Sequence, residues 1–179
     1  MKLSLCLVVC MLFGASVAVA GVGMGTIETG GSLDLHLSPS PWALSADMYL
    51  LYYMSNMLGI GPYWSLDKQG KAEGEEEAPP ACYSLGAMAK LYPPVAYMNG
   101  RLTPFISAGF GIRTVDVYDI EHTEWTTEKK GEFMGKVGFD YWLTENWTVW
   151  TAFQADKVFI EDSDMMSSIR IGIATFLMK

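Results

Sequence analysis

The stretch VGFDYWLTENWTVWTAFQAD (Val137–Asp156) decides the fold of this chain. Apolar and aromatic residues dominate one of its two alternating phases, while Asp140, Gln154 and Asp156 lie in the other phase. Alternation with a period of two is typical of a β-strand whose two faces meet different surroundings. The short polar segment Thr144–Asn146 has the composition of a turn. The stretch therefore predicts two antiparallel strands joined as a hairpin.

The same alternation recurs along the rest of the chain, and a helical period is almost absent. It predicts eight strands, at about 26–37, 43–54, 57–66, 82–92, 102–118, 127–142, 147–160 and 167–178. The connections alternate between short turns, such as Ser55–Met57, and longer polar loops, such as Asp67–Pro80. Short turns at one rim and polar loops at the other are typical of membrane barrels. We therefore predict an all-β fold, an eight-stranded antiparallel up-and-down transmembrane β-barrel.

Each predicted strand has one apolar phase and one phase rich in glycine, serine and charged residues. Leu85 and Ile171 represent the first phase, and Asp47, Lys136 and Arg170 represent the second. A soluble exported binding barrel of the lipocalin type would turn the apolar phase inward, whereas a membrane barrel turns it towards lipid. Small residues mixed with charges suit a narrow eight-stranded lumen. A Lys or Arg on the lipid face costs roughly 2–4 kcal/mol at the midplane. The pattern favours the membrane arrangement, and the soluble barrel is the alternative.

The polar phase supplies ionisable side chains that we predict to point into the lumen. They are Asp34, His36, Asp47, Lys90, Arg113, Glu132, Lys136, Asp140, Asp156 and Arg170. An unpaired charge is costly in a poorly solvated interior, so a paired network that closes the lumen is expected. Sequence proximity suggests the pairs Lys136–Asp140 and Arg113–Glu132. The alternative is a narrow porin-like channel for small solutes or ions, in which ion pairs exchange partners to open.

Aromatic residues of the apolar phase gather near the predicted strand ends. Tyr52, Tyr141 and Trp147 are near the short turns, and Trp64, Tyr83 and Phe159 are near the loops. Amphipathic rings prefer the depth of the lipid headgroups, where membrane barrels carry two aromatic girdles. We predict that these residues mark the two membrane interfaces.

The first twenty residues have the features of a secretory signal peptide. Lys2 precedes an apolar run from Leu3 to Phe13, and Ala18–Ala20 has the form of a cleavage site. We therefore expect residues 1–20 to be removed and residues 21–179 to form one barrel domain. Cys82 is then the one remaining cysteine, so no internal disulfide is expected. The net charge of −8, without a basic cluster, excludes a typical nucleic-acid binder.

The sequence resembles the small OmpA-like and OmpX-like outer-membrane β-barrels of Gram-negative bacteria. The segments that carry the resemblance are PFISAGFG (Pro104–Gly111), DYWLTENWTVWTAF (Asp140–Phe153), YYMSNMLGIG (Tyr52–Gly61) and IRIGIATFL (Ile169–Leu177). One departure is the end of the chain, where Leu177 replaces the usual terminal aromatic residue and Met178–Lys179 follow. The resemblance implies the fold, the strand order and a location in the cell outer membrane. We therefore expect a monomer in contact with membrane lipid and lipopolysaccharide.

Barrels of this kind serve several functions, so the resemblance does not settle an activity. Lipid A deacylases of similar fold carry a His-x-Ser pair on late strands, but here His36 is on the first strand and His122 is in a loop without a nearby serine. We therefore expect no enzyme, and no cofactor or metal. The predicted role is structural, or is the binding of an unidentified surface ligand through loops that carry Trp42, Glu75–Glu77, Trp125, Asp162 and Asp164.

Overall fold

The structure is a computed structural model, and it describes residues 22–36, 43–70, 80–119, 124–160 and 165–177. These residues form eight β-strands: β1 (Ile27–His36), β2 (Ala43–Tyr53), β3 (Leu58–Gln69), β4 (Cys82–Leu91), β5 (Leu102–Asp119), β6 (Glu124–Trp142), β7 (Trp147–Val158) and β8 (Met166–Leu177). No helix in these ranges is long and apolar enough to cross a membrane. The predicted signal peptide and the loop residues Trp42, Glu75–Glu77, Asp162 and Asp164 lie outside the described residues.

The eight strands form one closed antiparallel barrel in the order β1 to β8, which confirms the predicted fold. Each strand pairs with the next, and β8 closes the barrel by pairing with β1 from Ile27↔Leu177 to Ser32↔Gly172. Residues 54–57, 92–101 and 143–146 connect strands at one end, which we call the turn end. The opposite rim is the loop end. The topology places all charged side chains that point inward along a single lumen.

Two strands extend further towards the loop end than the sequence predicted. β3 continues to Gln69, because Asp67 pairs with Ser45 in the ladder to β2. β6 begins at Glu124 instead of residue 127, because its ladder with β5 continues to Asp119↔Glu124. The predicted loop assignments of Asp67–Gln69 and of Trp125 are therefore wrong. A polar composition predicts a loop, but in a barrel a carboxylate in the correct phase points into the lumen.

The predicted assignment of the two faces is confirmed. The outward face is apolar and exposed, as at Leu85 and Ile171, which are 65% and 64% exposed. The inward face is buried, and it includes Asp47 and Lys136 at 7% and 4% exposure. A water-soluble barrel requires the reverse, with charges outside and apolar residues within.

Glycines of the inward phase make room for large rings in the lumen. Tyr63 lies across β4 and β5, where a Cβ atom added to Gly86 would be 2.5 Å from its ring and one added to Gly111 would be 2.6 Å from its hydroxyl oxygen. Gly135 is different, because it lies in the outward phase of β6 and an added Cβ would meet no atom closer than 3.8 Å. The small residues of the polar phase are therefore part of the lumen packing.

These contacts predict opposite effects for two matched substitutions. Gly86→Ala should destabilise the barrel by about 1–3 kcal/mol, because the methyl group overpacks the lumen against Tyr63 and the backbone of β5. Gly135→Ala should be neutral or stabilising by up to about 1 kcal/mol, because it removes freedom from the unfolded chain without a clash. Urea unfolding of both variants in lipid vesicles measures the difference. Equal free energies of unfolding would contradict this packing.

Candidate functional site: the charged lumen

A buried ion cluster closes the lumen near the turn end. Lys90 Nζ lies 2.7 Å from Glu28 Oε1 and 2.9 Å from Asp140 Oδ2, and all three side chains are at most 2% exposed. We call Glu28, Lys90 and Asp140 the turn-side cluster. These residues come from β1, β4 and β6, so the cluster ties separate sectors of the barrel wall to one another.

Hydroxyl groups donate hydrogen bonds to all four carboxylate oxygens of the turn-side cluster. Tyr49 and Tyr53 donate to Glu28 at 2.8 and 2.5 Å. Tyr92 and Thr148 donate to Asp140 at 2.7 and 3.1 Å. Buried charges are tolerated when they are paired and fully hydrogen-bonded. The turn-side cluster meets this condition, because each of its four carboxylate oxygens accepts a hydrogen bond.

Aromatic rings complete the closure around Lys90. The ring of Tyr53 stacks on that of Tyr92 at 6.0 Å, and Phe105 contacts Tyr92 and Trp150 edge to face, each at 6.4 Å. Lys90 Nζ lies 4.3 Å from the centre of the Phe105 ring, a cation–π geometry. The rings exclude water from the ion cluster, and this strengthens its electrostatic attractions.

A second ion pair lies towards the middle of the lumen. Lys136 Nζ binds Asp47 Oδ2, and Asp47 Oδ1 accepts hydrogen bonds from the Ser32 amide and hydroxyl at 2.7 and 2.5 Å. Lys136 also lies over the Trp150 ring at 5.2 Å. Between this pair and Lys90, a void of only about 10 Å³ is bordered by Phe105 and Trp150. A void of this size holds at most about one water molecule. Ions and aromatic rings therefore fill this level of the lumen.

The loop end of the lumen is more open and carries a third network. Arg113 binds Glu132 Oε1 at 3.1 Å and Asp67 Oδ2 at 2.8 Å. Ser45 donates to the other oxygen of Asp67 at 2.5 Å. Around this network lies a cavity of about 250 Å³, which we call the loop-side cavity. Asp156 also lines it.

The pairing differs in part from the sequence-based prediction. The Arg113–Glu132 contact is present, but the expected Lys136–Asp140 pair is wrong, because Lys136 binds Asp47 and Asp140 binds Lys90. On one strand, side chains four residues apart are separated by about 13 Å of backbone, so partners across the lumen are closer. The remaining predicted cation, Arg170, has Nη1 4.0 Å from Asp34.

Sequence reasoning missed two carboxylates of the lumen. Glu28 and Asp67 both lie in the inward phase of their strands, and both bind a cationic side chain. Glu28 lies within the first predicted strand, in the same phase as Asp34, so the alternation contained its signal although the predicted set of inward charges does not include it. Asp67 lies beyond the predicted end of the third strand at residue 66. His36 is the last residue of β1, and its side chain lies outside the described part of the structure, as does His122. Among the described residues, no group of three or more His, Cys, Asp or Glu side chains could hold a metal ion.

The predicted interface aromatics point outward from the barrel wall. Tyr52, Trp64, Tyr83, Trp147 and Phe159 are between 36% and 53% exposed, and Tyr141 is half-buried. Five of them lie close to strand ends. Trp64 is different, because β3 continues to Gln69 and Trp64 lies within the wall, opposite Met48 and Leu85.

Comparison with solved structures identifies the architecture. The N-terminal barrel domain of Pseudomonas aeruginosa OprF matches with a TM-score of 0.57 at 12% identity, over 87% of this chain and 99% of that one. Pseudomonas aeruginosa OprG matches with a TM-score of 0.57 at 13% identity, over 88% of this chain and 98% of that one. The chain has the fold of the small outer-membrane β-barrels.

A third small outer-membrane barrel gives a similar result. Neisserial surface protein A matches with a TM-score of 0.54 at 14% identity, over 84% of this chain and 95% of that one. No family model and no curated protein matches the sequence. At these identities the likeness concerns the backbone architecture, which is the part of the predicted resemblance that is confirmed.

The turn-side cluster gives a quantitative prediction for stability. Lys90→Met leaves Glu28 and Asp140 buried without their cation and should destabilise the barrel by about 3–5 kcal/mol. Lys130→Met is the matched control, because it removes the same charge from a partly exposed pair with Glu128. Surface pairs contribute about 0–1 kcal/mol, so the control should unfold almost as the original chain does. Urea midpoints in the same vesicles test the difference, and similar losses in both variants would show that the cluster is not critical.

Proposed function

We propose that this chain is an integral protein of the bacterial outer membrane, with a closed lumen and a structural or surface-interaction role. The observation that carries the proposal is the arrangement of the wall, which exposes apolar residues around its circumference while charged groups are paired inside. In water such a surface would promote aggregation, because soluble monomers rarely expose large contiguous apolar patches. In hydrocarbon the same surface is the favourable one.

The proposed location combines the fold with the start of the sequence. A closed barrel satisfies the backbone hydrogen bonds of all its strands, which is required within a bilayer. The expected signal peptide at residues 1–20 would direct the chain across the inner membrane. We propose that the mature domain is monomeric, because its antiparallel ladder closes upon itself and leaves no free strand edge within the membrane.

A surface-interaction role has support in the hairpin of β5 and β6. The ladder of β5 with β4 ends at Arg113, and the ladder of β6 with β7 ends at Glu132. Beyond these residues the two strands pair with each other as far as Asp119↔Glu124. At about 3.4 Å per residue, the resulting ribbon extends roughly 20 Å beyond its last ladder pairs with β4 and β7. We propose that this ribbon presents the surface that meets an external partner.

The narrow channel is the second candidate, and the closed lumen argues against it. Phe105, Trp150 and the ions Lys90 and Lys136 fill the level of the lumen below the loop-side cavity, and this supports a closed lumen. Opening of the lumen would require the residues of the turn-side cluster to exchange hydrogen-bond partners, although every carboxylate oxygen of the cluster is already satisfied. We propose no enzymatic activity, cofactor or metal for the lumen.

Membrane residence can be tested by a pair of substitutions on exposed apolar residues. Ile171 lies in the middle of β8 and is 64% exposed, and Leu143 lies in a turn and is 58% exposed. In a membrane, Ile171→Arg should destabilise the barrel by roughly 2–4 kcal/mol and Leu143→Arg by about 0–1 kcal/mol. For a soluble barrel both changes would be nearly neutral. The measurement is urea unfolding in vesicles. The folded fraction is monitored on a gel, where the folded, unheated protein migrates faster than the unfolded protein.

Cell fractionation tests membrane residence independently. We expect the protein to remain in the membrane pellet after washing with salt and to require detergent for release. Release with the periplasmic extract, without detergent, would contradict membrane residence and favour the soluble binding barrel.

The closed lumen predicts no resolved openings in a planar bilayer. The folded protein should insert without discrete conductance steps, because ions and rings occupy the lumen between its two ends. The control is the same preparation checked on a gel for the unheated, folded form. Reproducible steps of constant amplitude would overturn the closed lumen and favour the narrow channel.

A further inference from the structure

The loop-side cavity contains polar atoms that the ion pairs of the lumen leave unused. Glu132, Gln154 and Asp156 line it and are 3%, 6% and 8% exposed. Glu132 Oε2, Gln154 Oε1 and Asp156 Oδ1 have no hydrogen-bond partner among the described residues. Two donor groups that line the same cavity, the Tyr63 hydroxyl and Arg170 Nη1, also have none, so unused acceptors outnumber unused donor groups by three to two. Buried polar groups in proteins are nearly always hydrogen-bonded, so three such acceptors at one place require an explanation.

The other atoms of these side chains are engaged, and this fixes where the free oxygens point. Glu132 Oε1 accepts a hydrogen bond from Arg113 at 3.1 Å. Asp156 Oδ2 accepts one from Gln154 Nε2 at 2.7 Å, which leaves the Gln154 carbonyl oxygen as a pure acceptor. The three side chains are therefore held in place before any ligand arrives. Preorganisation of this kind reduces the entropy lost on binding.

The strand register brings the three acceptors together. Asp156 lies opposite Met134, Gln154 opposite Lys136, and Glu132 opposite Val158. All three point inward from the neighbouring strands β6 and β7, so Glu132 and Asp156 are diagonal neighbours. Diagonal pairs lie about 7–8 Å apart at the backbone, a distance that their side chains span. Gln154 is further along the strand and joins the group through its hydrogen bond to Asp156, and all three side chains line the same cavity.

The charge around the cavity favours a cation. Among the described residues, the wall carries the carboxylates Asp34, Asp47, Asp67, Glu132 and Asp156 and the cationic side chains Lys68, Arg113 and Arg170. Lys136 adds one further cation through its bond to Asp47. One negative charge remains in excess. Asp34 Oδ2 lies 4.0 Å from Arg170 Nη1, and its negative charge partly offsets the repulsion that Arg170 would exert on a positive ligand.

We propose that the loop-side cavity binds a small organic cation through a primary ammonium group, received by the free oxygens of Glu132, Gln154 and Asp156. A primary ammonium has three N–H donors and no acceptor, which matches three acceptor oxygens. Hydrogen bonds between charged partners are shorter and stronger than neutral ones. A metal ion is the poorer match, since no described group of three His, Cys, Asp or Glu side chains could hold one. The cavity of about 250 Å³ also has room for a short carbon chain.

The test compares two ligands of equal charge. Propylammonium has N–H donors and tetramethylammonium has none, so the first should bind at least about tenfold more tightly, as expected for hydrogen bonds to charged groups. Titration of the folded protein in detergent micelles is followed by NMR through the Gln154 side-chain amide, whose carbonyl is one of the three acceptors. Equal binding of both ligands, tighter binding of Ca²⁺, or no saturable shift with propylammonium would each overturn the proposal.

Three variants locate the site. Glu132→Gln combined with Asp156→Asn should weaken propylammonium binding by at least about tenfold, and Gln154→Met should weaken it without a change of charge. Glu128→Gln is the matched control, because it removes a carboxylate from the exposed pair with Lys130 outside the cavity. Gel migration of the unheated protein confirms that each variant is folded. Unchanged affinity in folded Gln154→Met, or an equal loss in the Glu128 control, would show that these oxygens do not form the site.

Discussion

The ladder between β1 and β8 is the constraint on which the rest of the structure depends. It converts eight alternating strands into a tube without free edges, so that backbone groups within the wall are paired. Once the tube is closed, the position of a residue in the alternation determines whether its side chain faces the lumen or the outside of the barrel. Odd and even positions cannot exchange surroundings, because a shift of one residue would turn every side chain of a strand to the other face. Closure therefore separates the apolar wall from the charged lumen.

Closure of the barrel also explains why the charged side chains in the lumen must form ion pairs. An eight-stranded tube is only wide enough for side chains, so little water remains to solvate an ion. Lys90 is tolerated because Glu28 and Asp140 approach it from two other strands, and because Tyr49, Tyr53 and Tyr92 complete their hydrogen bonds. The glycines at positions such as 86 and 111 provide the room in which a ring like that of Tyr63 can lie. The paired charges, the aromatic rings and the glycines of the lumen thus all follow from the small width of an eight-stranded barrel.

The sequence was sufficient for the features that depend on phase alone. The number of strands, their order and the direction of Leu85, Asp47 or Ile171 follow from alternation and from the lengths of the connections. Partners across the lumen were not predictable, because Lys136 and Asp47 are 89 residues apart and meet through strand tilt and stagger. The ends of the strands at the loop end were also not predictable from the sequence. There a polar residue such as Asp67 has the same composition in a loop as in a strand that lines a charged lumen.

The lumen divides into two halves with different hydrogen-bonding states, and this difference indicates where function lies. At the turn end, each oxygen of Glu28 and Asp140 has a donor, and aromatic rings exclude solvent. At the loop end, Glu132, Gln154 and Asp156 keep free acceptors beside a cavity. A fully satisfied network stabilises one arrangement, and a further ligand there would have to displace existing bonds. An incompletely satisfied network gains free energy when a donor arrives. Stability is therefore concentrated in the turn half, which leaves the loop half able to bind.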